Sequence, residues 1–142
     1  MRAVRVAIVG AAAVVSAVGL GVAPAGAATA VKSCTTSDGG AVGVLAAPSF
    51  TGKTSMNTTF GVKDADKDGA WVRVRINITT GTGASYNYSW HENHDGYNSS
   101  KTWTPSASHT NGIVSARVQV DNVLGSSVQA TCYSGKFYNP YY

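Results

Sequence analysis

The feature that most constrains the fold is an alternation of apolar and polar residues that recurs along the chain. In residues 72–79 every second residue is Val or Ile, and the residues between them are Arg, Asn or Thr. Residues 56–63, 114–121 and 128–133 show a similar alternation. A period of two turns one side of a strand toward a core and the other toward solvent. Because no segment after residue 30 shows a helical period, the sequence predicts an all-β domain.

The same alternation predicts which side chains of the central strands are buried. The residues expected in the core are Val72, Val74, Ile76, Val118 and Val120. The residues expected at the surface are Arg73, Arg75, Arg117 and Gln119. Turn residues separate the strands at short intervals, as at Gly125 and Ser126. We therefore expect a single antiparallel β-sandwich of about six to eight strands.

The N-terminal segment has the three parts of a secretory signal peptide. A short basic start is followed by an apolar run over residues 6–22 and then by small residues. Cleavage after Ala27 or Ala30 fits this pattern, and we take residues 1–27 as the signal peptide. Residues 28–142 then form one domain, which is expected to be secreted and extracellular, with no membrane attachment after cleavage.

Cys34 and Cys132 are the two cysteines of the chain. In an oxidising compartment an even count favours a disulfide, and two cysteines allow a single intramolecular pairing. A bond between these positions closes most of the domain into one loop, which contributes about 4–5 kcal/mol in the chain-entropy model. Lipid attachment at Cys34 is disfavoured, because Lys32 stands where that pattern has a small apolar residue.

The charge pattern does not indicate a nucleic-acid partner. Removing Arg2 and Arg5 with the signal peptide lowers the formal net charge from +4 to +2. The remaining basic residues are scattered along the sequence, whereas nucleic-acid-binding domains usually cluster them. The chain also has no phosphate-binding Gly loop and no C-x-x-C pair, so no cofactor is predicted. We expect a monomer.

Residues 62–74 contain the clearest local motif. The spacing D-x-D-x-D-G, formed by Asp64, Asp66, Asp68 and Gly69, matches the first half of a calcium loop. The twelfth position of such a loop is Glu, and here it is Arg75. Because Asp and Gly also favour turns without a metal, the sequence favours a hairpin turn over a calcium site.

The same segment resembles a hairpin of small secreted β-sandwich proteins of actinobacteria, with the pattern V-x-D-T-x-A-D-G-x-x-V-x-V. The matching positions are Val62, Asp64, Asp68, Gly69, Val72 and Val74. Ala65 and Lys67 depart from the pattern, and the resemblance covers residues 62–74 only. The resemblance implies an extracellular β-domain with a two-strand hairpin at this point, and it implies no catalytic residue.

Tyr86, Tyr88 and Trp90 alternate with small polar residues. These aromatic side chains could close the core of the sandwich, or they could form an exposed platform for a sugar or another flat ligand. Because tyrosine is intermediate in burial, the sequence leaves both interpretations open.

Residues 92–112 lose the alternation and are rich in turn-forming residues. Long connections that persist in compact domains are often functional. The candidate ligand contacts in this loop are Tyr97 and Trp103, although Trp103 could instead plug the open end of the sandwich. The residues of zinc-binding type here are His91, Glu92, His94, Asp95 and His109. A loop does not hold such residues on one face as a helix does, so no metal site is predicted.

Two classes of function fit these observations. The first is a non-catalytic extracellular module that contacts another protein, the cell wall or a polysaccharide. The alternative is a small secreted hydrolase or metal-dependent enzyme that uses residues 91–109. The chain has no G-x-S-x-G elbow and no evident pair of glycosidase carboxylates, so the sequence favours the first class and predicts no catalytic residue.

Overall fold

The computed structural model describes residues 28–142, and the predicted signal peptide, residues 1–27, lies outside the described residues. The strands are β1 (Val31–Thr35), β2 (Ala41–Ala46), β3 (Ser49–Phe50), β4 (Ser55–Asn57), β5 (Phe60–Asp64), β6 (Trp71–Thr80), β7 (Ser85–Asn87), β8 (His91–Asn93), β9 (Ser100–Trp103), β10 (Ser106–Ser108), β11 (Ile113–Leu124), β12 (Ser127–Tyr133) and β13 (Phe137–Tyr138). Over these residues the chain is all-β and without a helix, as predicted.

The strands form three antiparallel sheets. One sheet has the order β1-β2-β5-β9, a small one has the order β10-β4-β3, and the largest has the order β12-β11-β6-β7. β8 also pairs with β6, and β13 pairs with β11. The first and largest sheets enclose a common core that includes Leu45, Phe60, Val62, Val74 and Val118. The expected antiparallel β-sandwich is confirmed, but the described residues form thirteen strands rather than six to eight, because several strands are only two or three residues long. The longer strands supply most of the core.

β6 and β11 are the central pair of the largest sheet. Val74 lies opposite Val120, and Ile76 lies opposite Val118. All the side chains predicted for the core on these two strands are buried. Cross-strand pairs of β-branched residues stabilise a sheet by packing side by side, which explains why the longest alternating segments form its centre.

The outer face of β6 and β11 differs from the prediction. Arg73, Arg75 and Arg117 are half-buried rather than exposed, and Gln119 is only 8% exposed. Gln119 is buried because its Oε1 accepts a hydrogen bond of 2.9 Å from Arg75 Nε, within a layer of side chains that covers this face. Alternation predicts the side to which a residue points, but it does not predict whether that side is covered.

A shift in strand register separates Trp90 from the two tyrosines that precede it. Asn87 of β7 lies opposite Asn77 of β6, whereas His91 of β8 lies opposite Val74 of β6. The segment from Asn87 to His91 therefore contains one residue more than the stretch of β6 that it faces. A β-bulge of this kind reverses the faces of the residues that follow it. Trp90 consequently joins the outer face.

Cys34 of β1 and Cys132 of β12 form the predicted disulfide, with their Cα atoms 5.9 Å apart. The bond links the edge strands of the two main sheets. A disulfide at this position indicates an oxidising, non-cytoplasmic environment. Within residues 28–142 no helix is long and apolar enough to cross a membrane.

Candidate functional site

An open cleft of about 600 Å³ lies between two loops at one end of the sandwich. The first loop joins β5 to β6, and the second follows β8. Its lining residues are Asp64, Asp66, Lys67, Gly69, Ala70, Trp71, His94, Gly96 and Tyr97. Aromatic rings, carboxylates and a lysine therefore line one open cleft.

The first loop is not the hairpin that its sequence pattern predicts. β5 pairs with β2 and β9, whereas β6 pairs with β11, β7 and β8, so the loop crosses from one sheet to the other. The turn itself forms as expected: the Ala70 backbone N–H donates to Asp68 Oδ1 at 2.9 Å, and Gly69 has a φ of 74°. Turn-forming residues specify a reversal of the chain, but they do not specify which strands pair.

The carboxylates of the D-x-D-x-D-G motif diverge rather than surround one point. Asp64 and Asp66 line the cleft. Asp68 Oδ2 instead accepts a hydrogen bond of 2.8 Å from the amide of Asn122 on β11, which also donates to Asp38. Among residues 28–142 no group of three or more His, Cys, Asp or Glu side chains is arranged to hold a metal ion.

The second loop is held by a buried asparagine. Asn93 is fully buried; its Oδ1 accepts from the Asp95 backbone at 3.1 Å, and its Nδ2 donates to Ser99 O at 3.2 Å and to Ser99 Oγ at 3.0 Å. Two left-handed residues, Gly96 with a φ of 85° and Asn98 with a φ of 65°, complete the turn. The residue between them, Tyr97, is therefore presented by a loop whose backbone is fixed by internal hydrogen bonds.

The aromatic side chains of the cleft are accessible. Tyr97 is 53% exposed, and Lys67 Nζ lies 5.1 Å from its ring centroid across the cleft. His94 stacks on Trp71 with the ring centroids 4.4 Å apart, while its Nε2 lies 2.9 Å from Glu92 Oε2. Trp71 Nε1 donates to the Gly125 carbonyl at 3.2 Å, which fixes the indole ring.

Asp64 supplies a buried carboxylate at the base of the cleft. The residue is 2% exposed, and its Oδ1 has no hydrogen-bond partner among the described residues. Burial raises the pKa of this carboxyl; a backbone hydrogen bond from Asp66 opposes the shift, and the Asp68 and Asp66 carboxylates add to it. A buried acceptor without a partner destabilises the ionised form of this carboxyl.

The two predicted ligand contacts have different environments. Tyr97 precedes β9 and lines the cleft, whereas Trp103 ends β9 and packs against the core. The Trp103 ring centroid lies 6.1 Å from that of Phe60 and 5.0 Å from that of His91. Trp103 thus packs as expected for a residue that closes the end of the sandwich. Of the two predicted contacts, only Tyr97 lines the cleft.

The three histidines do not converge. His91 contacts Phe60 and Trp103, His94 stacks on Trp71, and His109 packs against Tyr86 with centroids 4.7 Å apart. Burial lowers the pKa of His91, which lines a separate apolar cavity of about 170 Å³. Each histidine therefore belongs to a different cluster of side chains.

Tyr86, Tyr88 and Trp90 do not form one platform either. Tyr88 is half-buried and its hydroxyl donates to the Ser108 carbonyl at 2.8 Å, while Tyr86 is 44% exposed. Burial raises the pKa of Tyr88 to about 12. Trp90 lies on the other face, where Arg73 Cζ and Arg75 Cζ are each 4.1 Å from its ring centroid.

The sequence did not predict this layer of arginine and aromatic side chains. We call it the arginine face and define it by Arg73, Arg75, Trp90, Arg117 and Tyr133. Alternation placed the arginines on one side of the sheet, but only the bulge before His91 brings Trp90 to them.

Comparisons with protein-family models, curated proteins and solved structures give no significant match to this chain. Its resemblance to secreted actinobacterial proteins therefore stays a prediction.

Proposed function

We propose that the protein is a secreted, extracellular, non-catalytic module that binds a polysaccharide through the cleft containing Tyr97. The observation that carries the proposal is an exposed tyrosine, held by a hydrogen-bonded loop, beside carboxylates and a lysine. The C–H faces of a sugar ring pack on aromatic rings, and its hydroxyls both donate and accept hydrogen bonds. The exposed Asp66 accepts such bonds and the exposed Lys67 donates them.

A binding role accounts for the cleft better than a hydrolytic one. Glycosidases place two carboxyl groups on opposite sides of the scissile bond. Asp64, at the end of β5, and Asp66, in the loop that follows it, line the same side of this cleft, and the opposite wall contributes His94 and Tyr97. The scattered histidines support the same interpretation. The predicted signal peptide and the disulfide support an extracellular location.

The test is equilibrium depletion of the purified domain by insoluble cellulose, chitin, xylan, peptidoglycan and cross-linked polygalacturonate. We expect binding to at least one of them, weakened about tenfold by Tyr97→Ala, because a central aromatic contact is commonly worth more than about 1 kcal/mol. Tyr97→Phe keeps the ring and should bind within about threefold of the wild type.

Two results would contradict the proposal. One is the absence of binding to every polysaccharide by a folded wild-type protein. The other is unchanged binding by Tyr97→Ala, with folding checked by circular dichroism. Release of reducing sugar from a bound polymer, abolished by Asp64→Asn, would favour the hydrolase instead.

A further inference from the structure

The arginine face carries more positive charge than its own carboxylates neutralise. Arg73 pairs with Asp121, with Nη2 and Oδ2 2.8 Å apart. Arg75 Nε donates to Gln119 Oε1 at 2.9 Å, and Arg117 Nε donates to Asn77 Oδ1 at 2.8 Å, both neutral acceptors. Within residues 28–142 neither Arg75 nor Arg117 forms an ion pair with a carboxylate. Two guanidinium groups on this face therefore have no carboxylate partner, and both keep part of their surface exposed.

Aromatic rings hold these guanidinium groups in place. Arg75 Cζ lies 4.1 Å from the ring centroid of Trp90, and Arg117 Cζ lies 4.3 Å from the ring centroid of Tyr133. Cation–π contacts of this kind are favourable and restrict the rotamers of a long side chain. Arginine that is already ordered loses less entropy when it binds a carboxylate or sulfate through its N–H groups.

The arginine face is continuous with the cleft. Trp71 lines the cleft and precedes Arg73 by two positions on the same side of β6, and Arg73 Cζ lies 5.9 Å from its ring centroid. Successive outward residues of a strand are about 7 Å apart. The cationic positions therefore follow one another along the sheet, beginning at the edge of the cleft. Lys136, whose Nζ donates to Thr79 Oγ1 at 3.2 Å, extends them at the far end.

We propose that the polysaccharide bound at the cleft is acidic, and that its chain runs from the cleft along the arginine face, with its anionic groups on Arg75 and Arg117. This inference rests on the proposed function and adds the chemical class of the ligand. A polysaccharide fits better than a nucleic acid, because the rings of Trp90 and Tyr133 are already in contact with arginine and the domain carries a small net charge. Single-stranded nucleic acids are usually bound on free aromatic faces in strongly basic grooves.

The test compares acidic polymers with their neutral derivatives. Binding of polygalacturonate, alginate and hyaluronan is measured by isothermal titration, each beside its methyl-esterified form, which keeps the backbone and removes the charge. We expect the wild type to bind at least one acidic polymer about tenfold more tightly than its ester and to lose affinity as NaCl is raised.

Matched variants locate the effect. Arg75→Gln combined with Arg117→Gln should weaken binding of the acidic polymer about tenfold and leave the ester unchanged. Lys53→Gln combined with Lys63→Gln removes the same charge from exposed positions outside this face and should bind within about threefold of the wild type. Thermal unfolding confirms that each variant is folded.

Several outcomes would overturn the inference. These are equal binding of acid and ester, equal losses in the two double variants, or displacement of the polymer by single-stranded DNA that binds more tightly. If Tyr97→Ala abolishes binding to a neutral polysaccharide while the arginine variant has no effect, the proposed function stands and this inference fails. If the arginine variant loses acidic binding and Tyr97→Ala does not, the cleft is not the site and the proposed function fails.

Discussion

The two faces of the β6–β11 pair are both largely covered, but by different interactions. On the core face Val74, Ile76, Val118 and Val120 pack against the opposite sheet and carry no polar atoms beyond the backbone. On the arginine face the charged and polar side chains are covered by Trp90 and Tyr133 and satisfy one another by hydrogen bonds. The comparison shows that a strand side occupied by arginine can still be a packed layer.

The difference between the faces has an energetic consequence. Apolar burial contributes in proportion to the area removed from water. A polar layer contributes little net free energy, but breaking one of its pairs leaves a buried group without its partner. The core face should therefore be sensitive to any polar substitution, and the arginine face should be sensitive mainly where a partner is lost.

The largest effect is expected from Val74→Asp. The side chain is fully buried between the sheets, and a carboxylate there has no partner. We expect no cooperative unfolding transition, measured by near-ultraviolet circular dichroism and thermal scanning. Val74→Ile is the control, because it keeps the apolar chemistry. A folded Val74→Asp with a mild loss of stability would mean that the core face is assigned to the wrong side.

The disulfide is expected to have the next largest effect. Cys34 and Cys132 pack against the core and join the two sheets. Replacing both by Ser should lower the free energy of unfolding by about 4 kcal/mol, since the unfolded chain regains its loop entropy. Urea titration measures the loss. Two alkylatable thiols in the unreduced secreted protein would show that the bond does not form.

Arg73→Ser should cost about 2–3 kcal/mol, whereas the sequence alone predicts a nearly silent change. Asp121 is 2% exposed and relies on Arg73 Nε and Nη2, with Thr131 Oγ1 at 2.7 Å as its other partner. The partial exposure of Arg73 keeps the figure below that of a fully buried pair. Lys63→Ser is the matched control at an exposed position and should have almost no effect. Equal effects would mean that the arginine face behaves as an ordinary surface.

The sequence predicted the features that depend on local alternation and on cysteine number. The core positions of β6 and β11, the turn at Gly125 and the Cys34–Cys132 pairing are all confirmed. The loop after Asp64 was wrongly expected to be a hairpin, because turn-forming residues do not reveal that the flanking strands belong to different sheets.

The candidate site was predicted only in part, because it depends on contacts between distant segments. Tyr97 was selected from its loop, but its neighbours Lys67 and Trp71 come from the other side of the cleft. Trp103 is also aromatic and was expected in the same loop, yet it ends β9 and packs against Phe60. The burial of Gln119 follows from Arg75 and from the one-residue bulge that brings Trp90 over this face. A bulge of one residue leaves no clear pattern in the sequence.

Asp64→Asn should give the smallest effect, in the opposite direction to the others. Asp64 lies on the core-facing side of β5 with Oδ1 unpartnered, in contrast to Asp121, whose two oxygens accept from Arg73 and Thr131. The raised pKa means that the folded state holds this proton more tightly than the unfolded chain. The free energy of unfolding therefore falls as pH rises from the ordinary value of 3.8 to the raised folded pKa, and the loss persists at neutral pH. Asn cannot ionise, so the variant should be more stable than the wild type at pH 7, by about 1 kcal/mol or less, and should lack that fall. Urea titrations between about pH 3 and 8 measure both effects.

Asp121→Asn should instead destabilise the fold at pH 7, and Asp66→Asn, at an exposed position in the loop after β5, should change little. If Asp64→Asn and Asp121→Asn were equally destabilising, the contrast between an unpartnered and a partnered carboxylate would be wrong.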